Sequence, residues 1–215
     1  MRKQTVLGTM LVLGLAAPAA AQTAGEPRAA LAQAERARVL QALTGDRRVQ
    51  AIVGAQPRTI LGEPIFNKTE IERYSRTEDA PAPTRQIPAI LFNPTTNRAA
   101  RAVATADGRI VSVEPMAAVL VPIMPEDASL ALDLVRRSGG NRIPNLDRFT
   151  AEAAGGGSRA DNVAELLPLR SMASSDPCSR DRCVDVLFRT PDGYLPVRAH
   201  VDLTKRTVQM QGRGR

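Results

Sequence analysis

The sequence predicts an α+β fold of two related modules, each with one helix packed on an antiparallel sheet of three to four strands. The first observation is a strand–turn–strand pattern over residues 98–115 that returns over residues 196–211. The second is a helical pattern ahead of each copy, over residues 29–43 and 126–137. A helix followed by strands, present twice, is the order that a duplicated α+β module produces.

The two copies of the strand pattern align at a shift of 97 residues. Four positions are then identical: Arg101 with Arg198, Ala102 with Ala199, Arg109 with Arg206 and Val111 with Val208. In the first copy Asp107-Gly108 separates the two runs, and glycine adopts positive φ there without steric cost. The pattern therefore predicts a β-hairpin in each module.

Residues 1–21 have the pattern of a secretory signal peptide. Arg2 and Lys3 give a basic start, residues 6–17 form an uncharged apolar run, and Ala19-Ala20-Ala21 provides a cleavage site. The apolar run is shorter than the about 20 residues that a membrane-spanning helix needs. We expect cleavage before Gln22, export to the periplasm or the exterior, and no membrane span afterwards. The first module then covers residues 22–121 and the second 122–215.

Charge and aromatic content argue against one class of partner. Without residues 1–21 the formal net charge falls from +7 to +5, and the basic residues are scattered along the chain. Proteins that bind single-stranded nucleic acid stack its bases on aromatic side chains. This chain has 4 Phe, 2 Tyr and no Trp, so we predict no nucleic-acid partner.

In the first module, the helix over residues 29–43 is followed by a predicted strand over residues 58–66. Gly62 and Pro64 indicate a bulge or an edge position within that strand. Residues 71–76 are predicted to extend the strand pairing. Residues 86–93 carry apolar side chains on both faces, which predicts a strand covered on each side.

The second module opens with the best helical signal in the chain. Pro125 suits the first helical position, and Glu126 and Asp127 place negative charge in the first turn, where it is favoured. Helix capping and surface charge explain these carboxylates more simply than a catalytic pair does. The predicted strands of this module cover residues 163–172, 182–189, 195–203 and 207–211.

The two cysteines, Cys178 and Cys183, have four residues between them. In an oxidising compartment such a pair forms a disulfide, and the spacing suits the end of a hairpin. The closed loop is short, so the chain-entropy model gives about 2 kcal/mol of stabilisation. Arg180 and Arg182 lie within this loop and form a candidate interaction tip, for which a solvated hairpin end is the alternative.

Candidate metal ligands are few. His200 is the only histidine, and with Met210 it forms a weak candidate site for copper, which binds imidazole and thioether ligands. Strand alternation places His200 beside Arg198 and Asp202 on a polar face, where the cation opposes metal binding. We therefore predict no metal and no cofactor, with copper as the alternative. We recognise no nucleophile–base pair, so we predict no catalytic residue and no enzyme activity.

Residues 99–115 read Ala-Ala-Arg-Ala-Val-Ala-Thr-Ala-Asp-Gly-Arg-Ile-Val-Ser-Val-Glu-Pro, and residues 122–127 read Pro-Ile-Met-Pro-Glu-Asp. This segment resembles the small N-terminal (N2/N3-type) domains of copper amine oxidases, in which a glycine turn and a valine-rich strand precede a Pro-Ile-Thr-x-Glu-Glu motif. Met124 and Pro125 depart from that motif. The resemblance implies two α+β modules without the catalytic domain, because this chain has one His and no Asn-Tyr pair.

The predicted function is that of an exported, non-catalytic binding or interaction protein of the bacterial envelope. Its partner would be an unknown envelope or extracellular protein. One alternative is a periplasmic copper-handling protein. The other is a protease inhibitor, because one helix on a curved antiparallel sheet resembles the cystatin layout, although a shared fold does not fix a function.

Overall fold

The computed structural model describes residues 31–76, 81, 83–139, 142–157 and 159–212. The predicted signal peptide, residues 1–21, lies outside these ranges. Over the described residues the chain forms helices and two five-stranded sheets, which confirms the predicted α+β class. No helix in these ranges is long and apolar enough to cross a membrane.

The first sheet and its helices precede residue 117. The helices are α1 (Gln33–Gly45), α2 (Arg47–Val53) and α3 (Lys68–Arg76). The strands are β1 (Arg58–Leu61), β2 (Ile65–Phe66), β3 (Arg85–Asn93), β4 (Arg98–Thr105) and β5 (Ile110–Met116). Their order across the sheet is β1-β3-β4-β5, with β2 also paired to β3, and all of these pairs are antiparallel.

The second sheet follows helix α4 (Pro125–Gly139). Its strands are β6 (Thr150–Ala153), β7 (Val163–Leu169), β8 (Cys183–Thr190), β9 (Gly193–Asp202) and β10 (Thr207–Gly212). Their order is β10-β9-β8-β7-β6. The β6–β7 pair is parallel and the other pairs are antiparallel, so this sheet is mixed.

The two sheets share their strand registers at the predicted shift of 97 residues. Gln86 pairs with Thr105 in the first sheet, and Cys183 pairs with Asp202 in the second. One strand further on, Ala102 pairs with Val113, and Ala199 pairs with Met210. The repeat therefore includes β3 and β8 as well as the two hairpins from which the sequence predicts it.

Three details of the prediction need correction. Within the described residues each sheet has five strands rather than three or four, and the first module has three helices rather than one. Residues 71–76 lie in α3, because the side-chain oxygen of Asn67 accepts the backbone N–H of Thr69 at 2.9 Å and caps a helix there. The additional helices depart from a cystatin-like layout of one helix on one sheet.

The predicted strand over residues 58–66 is interrupted at Gly62, which separates β1 from β2. The Gly62 N–H donates to the carbonyl of Pro88 at 2.8 Å. A Cβ at this position would lie 2.9 Å from the Pro88 side chain, so the close approach of the two strands requires glycine. The expected irregularity at Gly62 is therefore confirmed.

Each sheet buries one face against its helices. In the first module α1 and α2 contribute Val39, Leu43, Val49 and Val53, all fully buried. Helix α2 begins at its own cap, since Asp46 accepts the backbone N–H of Arg48 at 2.8 Å. In the second module α4 packs its buried alanine, leucine and valine side chains on β6, β8, β9 and β10.

Strand β3 is buried on both faces, as its apolar pattern predicts. Ile87 and Leu91 face the helices, whereas Phe92 belongs to a separate buried cluster with Val121 and Met124. Those last two residues lie in the connector, which we define as residues 117–124. The connector therefore covers the second face of the first sheet instead of crossing solvent between the modules.

A buried carboxylate joins the two modules. Asp127, 2 % exposed, accepts a hydrogen bond from Arg58 of β1 at 3.0 Å and one from Arg182 at 2.7 Å. Its second oxygen also accepts the backbone N–H of Met124 at 2.9 Å, which caps α4. The Arg182 guanidinium stacks over Phe92 of β3, 4.3 Å from the ring centroid. We call Arg58, Asp127 and Arg182 the junction triad.

We expect Asp127→Asn to lower the free energy of unfolding by about 3–5 kcal/mol, because it leaves the buried Arg182 without its carboxylate. The matched control is Asp133→Asn on the same helix, whose carboxylate pairs with Arg136 at the surface. That change is expected to cost roughly 0.5 kcal/mol or less. Urea unfolding of both variants measures the difference, and equal losses would contradict a junction held by Asp127.

Candidate functional site

The second sheet has one face that α4 does not cover, which we call the outer face. Side chains alternate along each strand, so residues whose neighbours pack on α4 point to this face. Asp185 of β8, His200 of β9 and Gln209 of β10 form one cross-strand row on it. Leu187 and Arg198 form part of the next row. This face carries the candidate functional residues of the second module.

The predicted disulfide between Cys178 and Cys183 is present. Asp176 accepts the backbone N–H of Cys178 at 2.8 Å and starts the 3₁₀ turn Pro177–Ser179 that positions this cysteine. Cys183 is the first residue of β8. Both cysteines are 4 % exposed, so the sulfur atoms are largely shielded from solvent.

His200 lies under the disulfide loop. Its Nε2 atom is 3.2 Å from the Sγ atom of Cys178, and its side chain is half-buried. His200 is only partly exposed on this polar face, because the loop that follows β7 folds back over the outer face. The predicted neighbours Arg198 and Asp202 do share this face with it.

The weak copper pair of His200 and Met210 is not formed. His200 pairs with Gln209 across the strands, whereas Met210 pairs with Ala199 and packs against the core beneath α4. The two side chains lie on opposite faces because strand side chains alternate. The sequence prediction of no catalytic residue and no cofactor stays a prediction.

The interaction tip at Arg180 and Arg182 also needs correction. Arg180 is exposed, but Arg182 is 6 % exposed and donates to the carbonyl of Pro122 at 3.1 Å as well as to Asp127. Arg182 is drawn inward because the buried carboxylate and the Phe92 ring offset the loss of its hydration. Arg182 is therefore part of the junction triad and not of an exposed tip.

A hydrogen-bonded trio lies at the other end of the outer face, and the sequence does not predict it. Glu165 of β7 accepts the hydroxyl of Tyr194 at 2.6 Å and the Nε–H of Arg189 at 2.8 Å. The Tyr194 hydrogen bond, followed by Arg189, lowers the pKa of Glu165, and the same hydroxyl–carboxylate bond raises the pKa of Tyr194. No sequence signal marks this trio, because three separate strands supply it.

Tyr194 also borders a groove of about 630 Å³ along the end of β9 and β10. The groove is lined by Leu187, Tyr194, Leu195, Pro196, Val197, Arg198, Gln211 and Gly212. Tyr194 is 58 % exposed, and Arg198 is ion-paired with Asp185 at 3.5 Å. An exposed aromatic ring beside an arginine and aliphatic walls suits contact with another protein.

We expect Glu165→Gln to lower the pKa of Tyr194 toward its ordinary value, because the phenol then loses its anionic acceptor. Tyrosinate absorbance in a Tyr74→Phe background reports Tyr194 alone, since the chain has only 2 Tyr. Glu165→Asp is the conservative control that keeps the charge. An unchanged titration in Glu165→Gln would contradict the hydrogen bond.

The lowered pKa of Glu165 also makes the free energy of unfolding depend on pH. The folded state favours the ionised carboxylate, so this contribution is present above the ordinary pKa of glutamate and is lost as pH falls through the folded pKa. Urea unfolding on the acid side should therefore show a smaller decline in Glu165→Gln than in the unaltered protein.

Comparison with known proteins yields a similarity of fold. No family model matches the sequence, and no curated protein matches it. Among solved structures, a copper-containing benzylamine oxidase from Hansenula polymorpha matches with a TM-score of 0.57 and 13 % sequence identity. The match covers 87 % of this chain and 30 % of the oxidase chain. The chain thus has the fold of part of a copper amine oxidase and spans less than a third of that enzyme's length.

Proposed function

We propose that this protein is an exported, non-catalytic interaction protein of the bacterial envelope. In this proposal residues 1–21 are the signal peptide, residues 22–121 the first module and residues 122–215 the second. The observation that carries the proposal is the partial fold match, which pairs most of this chain with 30 % of an oxidase chain. A module of that kind acts through its surface, because the chemistry of an oxidase belongs to its catalytic domain.

The finer resemblance is to the N2/N3-type N-terminal domains of copper amine oxidases. Two related α+β modules in tandem support it, and so does the glycine turn at Gly108, whose φ is 93°. The benzylamine oxidase contains copper, whereas the present chain has a single histidine. We therefore do not transfer the oxidase activity of that enzyme to this protein.

The partner-binding surface in this proposal is the groove beside Tyr194. Tyrosine and arginine are over-represented among the residues that dominate binding energy at protein interfaces. Strand β10 lies at the sheet edge and pairs only with β9 among the described strands. An edge strand beside a groove accepts an extended segment of another protein, which adds backbone hydrogen bonds to side-chain contacts. We propose such a segment as the ligand.

The test begins with capture of partners from the cell envelope by the secreted, oxidised protein. Intact-mass analysis of the bait checks cleavage before Gln22 and the loss of two hydrogens at the disulfide. A captured protein is then purified and titrated against the unaltered chain. We expect one stoichiometric protein partner.

The groove is tested with Tyr194→Ala. We expect this change to lower the affinity for that partner by roughly 30-fold, which corresponds to the loss of about 2 kcal/mol that marks a hot-spot residue. Tyr74→Ala is the matched control, because Tyr74 is similarly exposed, at 51 %, but lies on α3. Equal weakening by both variants would overturn the groove as the site. Oxidation of an amine by the purified protein would overturn the non-catalytic function itself.

A further inference from the structure

We propose that Cys178, Cys183 and His200 form a metal site for a thiophilic ion, Zn²⁺ or Cu(I), when the disulfide is reduced. Oxidation to the disulfide closes this site. The proposal is independent of the interaction function, since it concerns the loop end of the outer face and not the groove at Tyr194. It also replaces the His200–Met210 pair that the strand geometry rules out.

The three side chains already lie at near-coordination distances. One ligand atom from each of them is within 4.8 Å of the others, and Nε2 of His200 is 3.2 Å from Sγ of Cys178. Zinc–sulfur and zinc–nitrogen bonds in a tetrahedral site place ligand atoms about 3.5–3.8 Å apart. Breaking the disulfide lets the two sulfur atoms separate to that distance, so a small movement completes the set.

The elements that hold the ligands suit a metal site. Cys183 and His200 lie on the paired strands β8 and β9, which fix their relative positions. Cys178 lies on the short 3₁₀ turn, which supplies the freedom to move. Four residues separate the cysteines, which is within the usual spacing of zinc-ligand cysteine pairs. Two thiolates and one imidazole leave a fourth position open on Zn²⁺ and complete a three-ligand set for Cu(I).

The charges around the site permit a cation, because the nearby Arg198 is ion-paired with Asp185. Arg198 shares the face with His200, but Asp185 pairs with it at 3.5 Å and lies directly across from His200. Asp176 accepts the backbone N–H of Cys178 at 2.8 Å, so its carboxylate lies close to this ligand. Asp185 therefore offsets the positive charge of Arg198, and Asp176 supplies negative charge beside the site.

The reaction balances with a dithiol as the reductant. The dithiol donates two electrons and two protons, the Cys178–Cys183 bond breaks to give two thiols, and the dithiol becomes a disulfide. Metal binding then displaces the two thiol protons, since the thiolate is the ligand. A small-molecule disulfide reverses the reaction by thiol–disulfide exchange: it accepts the two electrons and becomes two thiols, the Cys178–Cys183 bond forms again, and the ion is released. Metal affinity is thus set by the redox state of one loop.

The experiment measures binding of Zn²⁺ and, under anaerobic conditions, of Cu(I) to the purified full protein in its oxidised and reduced forms. The reduced form is prepared with a reductant that is removed before titration. We expect one ion per reduced chain, none per oxidised chain, and a sulfur-to-metal charge-transfer band with Co²⁺ as the spectroscopic probe. The Zn²⁺ and Cu(I) arms distinguish which ion the three-ligand set prefers.

His200→Gln is expected to weaken binding to the reduced protein by roughly tenfold or more while leaving the disulfide intact in the oxidised form. Met210→Leu is the matched control and is expected to bind like the unaltered protein. Binding that is equal in the oxidised and reduced forms, or unaffected by His200→Gln, overturns the proposal. A reduced chain that binds no metal overturns it as well, whether or not its circular-dichroism spectrum remains that of the folded protein.

Discussion

The arrangement of the whole molecule depends on one buried carboxylate. Asp127 caps α4 through the N–H of Met124 and binds Arg58 of the first sheet and Arg182, which directly precedes β8 of the second sheet. Desolvation makes such a cluster costly unless each charge has its partners, so its geometry is tightly specified. The connector, whose Val121 and Met124 are buried with Phe92, fills the space around it with apolar contacts. Docking of the modules is thus polar at its centre and apolar around it.

The outer face of the second sheet takes no part in packing against α4. Its two ends carry different groups of side chains. One end carries the hydrogen-bonded trio of Glu165, Arg189 and Tyr194 beside a groove. The other carries a disulfide against an imidazole. The junction triad includes Arg182, the residue immediately before Cys183, so the sulfur-bearing end is anchored to the interface between the modules. None of the three residues of the junction triad lines the groove at the other end.

Local chemistry explains which parts of this structure the sequence predicts. The hairpins, α4 and the disulfide depend on neighbouring residues, and their patterns are visible without tertiary information. Helix α3 depends on the cap at Asn67, and this cap prevails over a strand-like composition in the residues that follow. Burial of Arg182 depends on its contact with Asp127, which is distant in the sequence. The approach of His200 to Cys178 depends on a loop that folds back over the sheet. No residue spacing in the sequence predicts either contact. The candidate site is therefore harder to predict than the fold.

We expect the junction triad to form late in folding. Arg58 and Asp127 are 69 positions apart in the sequence, and Asp127 and Arg182 are 55 positions apart. The hairpin β4–β5, by contrast, closes across the short turn at Gly108. Contacts between distant residues form late, because closing a long loop costs more chain entropy than closing a short one. The first sheet is therefore able to pair its strands with Arg58 still hydrated, before Arg182 has reached its place. The ion pair of Arg58 then forms only when Asp127 of the second module docks against the first sheet.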